Sequence, residues 1–392
     1  MTLHGDVWLL PEGVDEALPE AAARIEQLRR QVLDLCAAWG YEMVIPPFIE
    51  HLESLLTGAG HDLEQQIFKL LDPLTGRLLG VRADMTPQVA RMDAHGLQRE
   101  GVTRLCYFGT VLHARPGSQD ASRSPMQMGA ELYGHAGFEA DVEVMGLMLA
   151  VLAAVGVKDL VLDLGHVGVF RRLVARAGLE AAQEEALSDI LRRKALPELA
   201  VFCTAQRVPA DCASAFTTLC EMNGDAALLD GAVRDLPCAD AVSGELVELR
   251  RAAAEIRRRA PGVQLHVDLA ELRGYRYHTG LLYAAYVAGQ GRAVAQGGRY
   301  DGVGAAFGRA RPATGFSADL KALAALAALP AAPASGGIAA PWETDAALES
   351  EVRALRAAGE CVVQVLPGSG VPPGCTRRLV FRGGAWRLEG IS

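Results

Sequence analysis

The sequence predicts an α/β protein: strands gathered into a sheet, helices packed on it, a largely helical stretch in the middle and a small α/β tail. Three observations predict this. Some segments repeat apolar residues at three- and four-residue steps while others alternate or run apolar over strand lengths. The span 167–259 is almost wholly helical in pattern, and an Ala-, Leu- and Pro-rich run at 322–341 sets off about 50 residues behind it.

The elements follow in order. Pro19 to Trp39 is an amphipathic helix, with Ile25, Leu28, Val32, Leu35 and Trp39 on one stripe and Gly40 as its stop. Tyr41 to Glu50 is extended and interrupted by Pro46 and Pro47. Ile67 to Leu71 and Arg77 to Val81 flank Asp72-Pro73-Leu74-Thr75-Gly76, a hairpin signal. Thr86-Pro87 reads as a helix start, with Thr86 as N-cap and Pro87 at the first helical position. Strands are expected at Arg104 to Leu112 and Pro125 to Tyr133, a helix at Ala140 to Val155, and a strand at Leu160 to Leu164. After the helical middle, strands return at Val263 to Leu269, Tyr277 to Tyr286 and Gly291 to Gln296. The tail adds a helix at Glu343 to Ala358 and short strands at Cys361 to Leu366 and Arg378 to Phe381.

Composition excludes several classes. A net charge of −9, from 38 basic and 47 acidic residues, argues against holding nucleic acid mainly by field. The Arg250 to Arg259 cluster reads as the solvated face of a helix. Eight cysteines without a CxxC pair support neither a zinc knuckle nor a disulfide framework, so free thiols and no metal are expected. The acidic N-terminus lacks a signal pattern, and the longest apolar run, Met145 to Val157, is too short to span a bilayer. A cytoplasmic protein with no membrane partner is the expectation.

Four patches could carry chemistry. The first is Arg82-Ala83-Asp84-Met85-Thr86-Pro87-Gln88-Val89-Ala90-Arg91, where capping alone would account for Thr86. The second is Met126 to Gly134. There, period two puts Gln127, Gly129, Glu131 and Tyr133 on one face and Met126, Met128, Ala130 and Leu132 on the core side. The polar face suits either solvent or the floor of a pocket, with Gly129 leaving room for a ligand. The third, Leu272 to Gly280, gathers Arg273, Tyr275, Arg276, Tyr277 and His278 beside glycines, and an arginine there could clamp a carboxylate. The fourth, Gln296 to Gly302, pairs a Gly-Gly turn with Arg299, Tyr300 and Asp301. Acids and an amide for an ammonium, an arginine for a carboxylate and polar rings for a side chain together complement a free amino acid.

These patches, in this order, resemble the core of class II aminoacyl-tRNA synthetases and of histidyl-tRNA synthetase in particular, from about Pro19 to Leu323. Gly40-Tyr41 through Pro47 to Glu50 looks like motif 1, Arg104 to Gly134 like motif 2, and Arg311 to Leu323 like motif 3. Arg273-Gly274 and Gly297 to Gly302 look like the two histidine-specific segments. The resemblance implies an antiparallel sheet flanked by helices. It divides the chain into a core at 1–325 with a helical insertion at about 167–262, a linker at 326–341 and a small C-terminal domain at 342–392.

The departures from that family decide what the resemblance implies. Its Phe-Arg-x-Glu of motif 2, whose arginine grips the α-phosphate of ATP, falls on Val111-Leu112-His113-Ala114. Its Gly-Leu-Glu-Arg of motif 3 falls on Asp319-Leu320-Lys321-Ala322. Losing both arginines removes hydrogen bonds to charged groups worth roughly 1.5–3 kcal/mol each, and with them adenylate formation. The tail is also too short for an anticodon-binding domain. The histidine-pocket positions remain: Asp84, Thr86 and Gln127 toward the ammonium, Glu131 and Tyr300 toward the imidazole, Arg273 over the carboxylate, and Tyr277. The family's second tyrosine after Arg-Gly falls on His278. A kept amino-acid pocket beside a dismantled ATP site resembles the synthetase paralogues that serve as regulatory subunits of ATP phosphoribosyltransferase. That resemblance implies no catalysis and no cofactor. It implies histidine as effector, a short-form catalytic subunit as partner and a homodimer within a hetero-oligomer.

Overall fold

A computed structural model describes residues 8–57, 61–115, 122–327 and 336–391. The chain divides into two compact units, 1–328 and 329–392.

The first unit opens with helix α1 (Pro19–Ala38), which buries Leu28, Val32 and Cys36, one row at four-residue spacing. Ile25 and Leu35 flank that row half-buried, and Trp39 is exposed. Strands β1 (Glu42–Val44) and β2 (Ile49–His51) stand on either side of the Pro46-Pro47 break. After the short helices α2 (Leu52–Leu56) and α3 (His61–Gln66), β3 (Phe68–Leu71) and β4 (Leu78–Val81) form the expected hairpin, with Gly76 at φ +70°. Helix α4 (Thr86–Arg91), β5 (Thr103–Thr110), β6 (Met126–Tyr133), α5 (Phe138–Ala154) and β7 (Leu160–His166) come next.

The middle is helical as its periodicity requires: α6 (Val167–Ala177), α7 (Ala181–Arg192), α8 (Leu196–Ala205), α9 (Ala210–Glu221), α10 (Leu229–Asp235) and α11 (Ser243–Arg259), with one short strand, β8 (Asn223–Asp225). On α11, Arg258 and Arg259 pair with Glu255, and Arg257 pairs with Asp225, with all three arginines largely solvated. Then come β9 (Gln264–Asp268), β10 (Leu281–Val287), β11 (Ala295–Arg299), α12 (Val303–Ala306), β12 (Ala313–Asp319) and α13 (Leu320–Leu326). Nine strands make one sheet in the order β1-β5-β6-β12-β11-β10-β7-β9-β8. From β5 to β7 every neighbouring pair is antiparallel. The hairpin and β2 make a separate three-stranded sheet. Among the described residues no helix is long and apolar enough to cross a membrane.

The second unit is a four-stranded sheet, β14-β13-β15-β16, built from β13 (Gly337–Pro341), β14 (Val362–Val365), β15 (Cys375–Arg382) and β16 (Ala385–Gly390), with helix α14 (Ala346–Ala357). Here the composition misleads. Residues 337–341, assigned to a linker, are an interior strand paired in parallel with both β14 and β15. Ile338 and Ala340 pack with Leu348 and Val352 of α14, and Ala339 between them is buried too, so this interior strand carries small apolar residues without polar alternation. Residues 328–335 of that run lie outside the described residues.

Candidate functional site

The site grows out of strand register. Period two puts alternate residues on one face, and pairing carries that face across the sheet. One row runs Tyr107, Gly129, Ser317, Gln296, Ala284, Asp163 and His266; the next runs Leu105, Glu131, Gly315, Gly298 and Leu282. Large side chains at one end of these rows and glycines beside them leave a cavity of about 320 Å³. Asp84 and Thr86 close one wall. The turn carrying Arg273, Tyr277 and His278 closes another, and Tyr300 reaches in from the end of β11.

Glu131 sits at the bottom, 1% exposed. Its two oxygens accept from the Tyr107 hydroxyl at 2.9 Å and from the Tyr300 hydroxyl. Burial pushes its carboxyl up to about 8, against the lowering pull of both tyrosines. Tyr107 also shares a hydrogen bond with Thr86 Oγ1 at 3.0 Å. Tyr277 stacks on Tyr300 with ring centroids 5.1 Å apart, and its own hydroxyl is buried without a partner among the described residues. An unsatisfied buried donor at a cavity wall is a place for a ligand acceptor. His278 is held neutral, its pKa pushed down to about 4 by burial. Its Nδ1 lies 3.1 Å from the Gly274 carbonyl, which can only accept, so Nδ1 carries the proton and Nε2 is an acceptor.

Asp84 is oriented from behind. Its Oδ1 accepts from the Thr86 amide at 3.1 Å and from Gln127 Nε2 at 2.7 Å, while Gln127 Oε1 accepts from the Met85 amide at 2.9 Å. Asp163 and Glu271 add two more acids on the far wall. Among the described residues, Arg273 is the one cation lining the cavity. Its Nε and Nη2 form a bidentate pair with Glu271 at 3.0 and 2.6 Å, and its guanidinium lies over the Tyr286 ring. The cavity is acidic on balance and suits a ligand rich in N–H donors.

In the neighbouring region, where Leu112, Ala114 and Ala322 stand, two cations are already engaged, while Arg115 is exposed with the Gln65 amide oxygen as its partner. Arg123 is spent on the carbonyls of His113, Ala114 and Glu12, and Lys321 on Asp15 and the Ser124 carbonyl. Asp319 caps α13 by accepting from the Lys321 amide.

Comparison with known proteins places this arrangement. A family profile described as histidyl-tRNA synthetase matches residues 13–323, and one described as the ATP phosphoribosyltransferase subunit HisZ C-terminal domain matches residues 335–389. An ATP phosphoribosyltransferase regulatory subunit of Thioalkalivibrio sulfidiphilus is 56% identical over 95% of each chain. Another, from Pseudomonas fluorescens, is 52% identical over 98% of each. The chain belongs to the ATP phosphoribosyltransferase regulatory subunits. Among solved structures, a regulatory subunit/histidyl-tRNA synthetase from Bacillus halodurans superposes with a TM-score of 0.80 at 26% identity, covering 91% of this chain and 92% of that one. A histidyl-tRNA synthetase from Nostoc shares the fold alone, with a TM-score of 0.76 at 17% identity, covering 95% of this chain and 91% of that one.

Against this regulatory-subunit frame, the fold brings Asp84, Thr86, Glu131, Arg273, Tyr277, His278 and Tyr300 to the cavity, with Gln127 behind Asp84. Several local expectations change. Thr86 is not the N-cap: Met85 holds that place, and the hydroxyl is used on Tyr107 instead. Gly129 makes room for the Tyr107 hydroxyl, not for a ligand; an added Cβ would strike it. Gly297-Gly298 is not a turn but the interior of β11, which leaves space in front of Glu131. Tyr277 and His278 precede β10 in a turn set by Gly274 at φ +58°. The clamp expected of Arg273 is half spent on Glu271, leaving Nη1. Arg299 and Asp301 are structural, the first buried against Asp141 at 2.7 Å and the second accepting from the Ala313 amide. Asp163, Glu271, Tyr107 and Tyr283 were missed. Cross-strand register brings Asp163, Tyr107 and Tyr283 to the site, whereas Glu271 stands two residues before Arg273, just outside the patch the sequence singled out.

Proposed function

We propose that the chain is the non-catalytic, histidine-sensing subunit of an ATP phosphoribosyltransferase, joining a short-form catalytic chain in the first step of histidine biosynthesis and carrying its feedback inhibition. The observation that supports this most is Glu131, buried between two tyrosine hydroxyls at the floor of an acidic cavity. A carboxylate there accepts from an imidazole N–H, Asp84 faces an ammonium, and the remaining N–H groups of Arg273 meet a carboxylate. The Arg123 and Lys321 contacts add support for the absence of catalysis, because both cations are committed to protein groups rather than open to a triphosphate. A cytoplasmic location accords with a partner in amino-acid synthesis.

The subunit acts as a homodimer. Ile45 is 75% exposed, and Met43, Phe48 and Ile49 are each more than two-fifths exposed around the edge strand β1, an apolar patch that a two-fold copy would cover. Calorimetric titration of the isolated chain with L-histidine tests the reading. Saturable binding of one histidine per chain, with neither histidinol nor arginine competing equally, supports it; no heat at millimolar histidine overturns it.

A further inference from the structure

A second convergence of polar groups lies in the helical middle, away from the cavity. Asp211 and Cys212 stand in the first turn of α9, and Cys238 follows α10. The two sulfurs and a carboxylate oxygen of Asp211 all lie within 4.8 Å of one another. The Cys238 thiol donates to Asp211 Oδ2 at 3.3 Å, and the Cys212 amide donates to Oδ1 at 2.9 Å. We propose that Asp211, Cys212 and Cys238 form a binding site for a zinc-class divalent ion, with its fourth position open to water.

Distance, chemistry, charge and backbone each contribute. Zinc holds sulfur at about 2.3 Å and carboxylate oxygen at about 2.0–2.2 Å, so neighbouring donors of a tetrahedral site lie about 3.5–3.8 Å apart. The thiol–carboxylate contact is already near that edge length. Two sulfurs with one oxygen select zinc or cadmium over magnesium or calcium, which take all-oxygen sites. Two thiolates and a carboxylate around a divalent ion leave one negative charge. Arg176 stands 3.3 Å from Asp211 Oδ2 and 3.1 Å from Asp240, where it offsets part of that charge. Cys238 is a non-glycine residue held at φ +61°, ψ +24°, a left-handed conformation that side chains avoid and that recurs at ligand clamps. Asp211 is exposed, so the ion has an entry path. The cysteines are 26 positions apart, which is why zinc spacing is invisible in the sequence. A bound ion would clip α9 to the segment that leads into α11.

Cobalt spectroscopy on the full-length reduced chain tests this, with zinc competition against a chromophoric chelator. The expected result is one equivalent of Co²⁺ with thiolate-to-cobalt charge-transfer absorption, displaced by Zn²⁺. In Cys212→Ser and in Cys238→Ser, zinc affinity should fall by more than the roughly 10–100-fold lost when a residue supporting a ligand is removed. Asp211→Asn is a milder variant that leaves both thiols in place and should also weaken the ion. Cys361 and Cys375, which flank Gly337, are the control pair, and a Cys361→Ser/Cys375→Ser chain should bind as the parent does. Absence of thiolate absorption at saturating cobalt, or its loss only in the control chain, overturns the site.

Discussion

Replacing Glu131 by glutamine isolates the carboxylate at the floor of the cavity. Truncation to alanine is the poorer experiment, because Glu131 is 1% exposed and its removal would leave the buried Tyr300 hydroxyl without an acceptor. Such an orphan costs about 1–3 kcal/mol by itself. Glutamine keeps the volume and can still pair with both tyrosines. Two effects should separate. In the empty protein the Glu131 carboxyl titrates near 8 instead of 4.5. Between those values the folded chain binds the extra proton, so stability falls as pH rises from about 4.5 to about 8, then levels off. At about 1.4 kcal/mol per tenfold change in proton affinity, the decline is on the order of 5 kcal/mol. Glu131→Gln lacks that titration and should lose the decline, measured by denaturant melts across pH 5–9. For the ligand, losing a hydrogen bond to a charged acceptor should cost roughly 1.5–3 kcal/mol, or roughly 10–100-fold in histidine Kd. Above the imidazole's own pKa near 6.5, the parent's affinity should rise roughly tenfold from pH 7 to 8.5 as Glu131 ionises, and the variant's should not. Equal Kd values for parent and variant, with the same pH dependence in both, would refute the placement of the ligand on Glu131.

Other consequences are simpler to read. Gly315→Ala, whose Cβ would fall on the Glu131 carboxylate, should weaken histidine by more than tenfold while far-ultraviolet circular dichroism stays native; unchanged calorimetric binding would mean the glycine lane is not the ligand's path. Ile45→Asp should turn a dimer into a monomer at micromolar concentration by sedimentation equilibrium, since a charge would enter the covered patch. With ATP, histidine and labelled pyrophosphate, the chain should show no exchange above a protein-free control, because Leu112, Ala114 and Ala322 offer phosphates no charge.

How much of this was legible in the sequence depends on the scale of the interaction. Local periodicity located α1, the hairpin and the helical middle, since each is set by residues near in sequence. The polar face of β6 was visible for the same reason, and so were Glu131 and Gln127. Whether that face meets solvent or a cavity was not, because the answer lies in β12 and β11, some 170–190 residues further on. The same limit hid Asp163, an unremarkable acid until the fold sets it near Arg273; Glu271, two residues from Arg273, was within local reach and was passed over. Strand β13 was mistaken for a linker because every one of Gly337 to Ala340 is buried, and a run of Gly, Ile and Ala carries no polar alternation to mark a strand. Thr86 was read as a cap because capping is the commoner local use of a hydroxyl before Pro; Tyr107, 21 residues away, took it instead.

The central claim is tested most directly by reconstitution with a short-form ATP phosphoribosyltransferase catalytic chain, following phosphoribosyl transfer while histidine is titrated. The account predicts activity that depends on this chain and is inhibited by histidine. With Glu131→Gln in its place, activity should persist but need roughly 10–100-fold more histidine for inhibition. Inhibition that is identical with the parent and the variant, or that persists when this chain is left out, would contradict it.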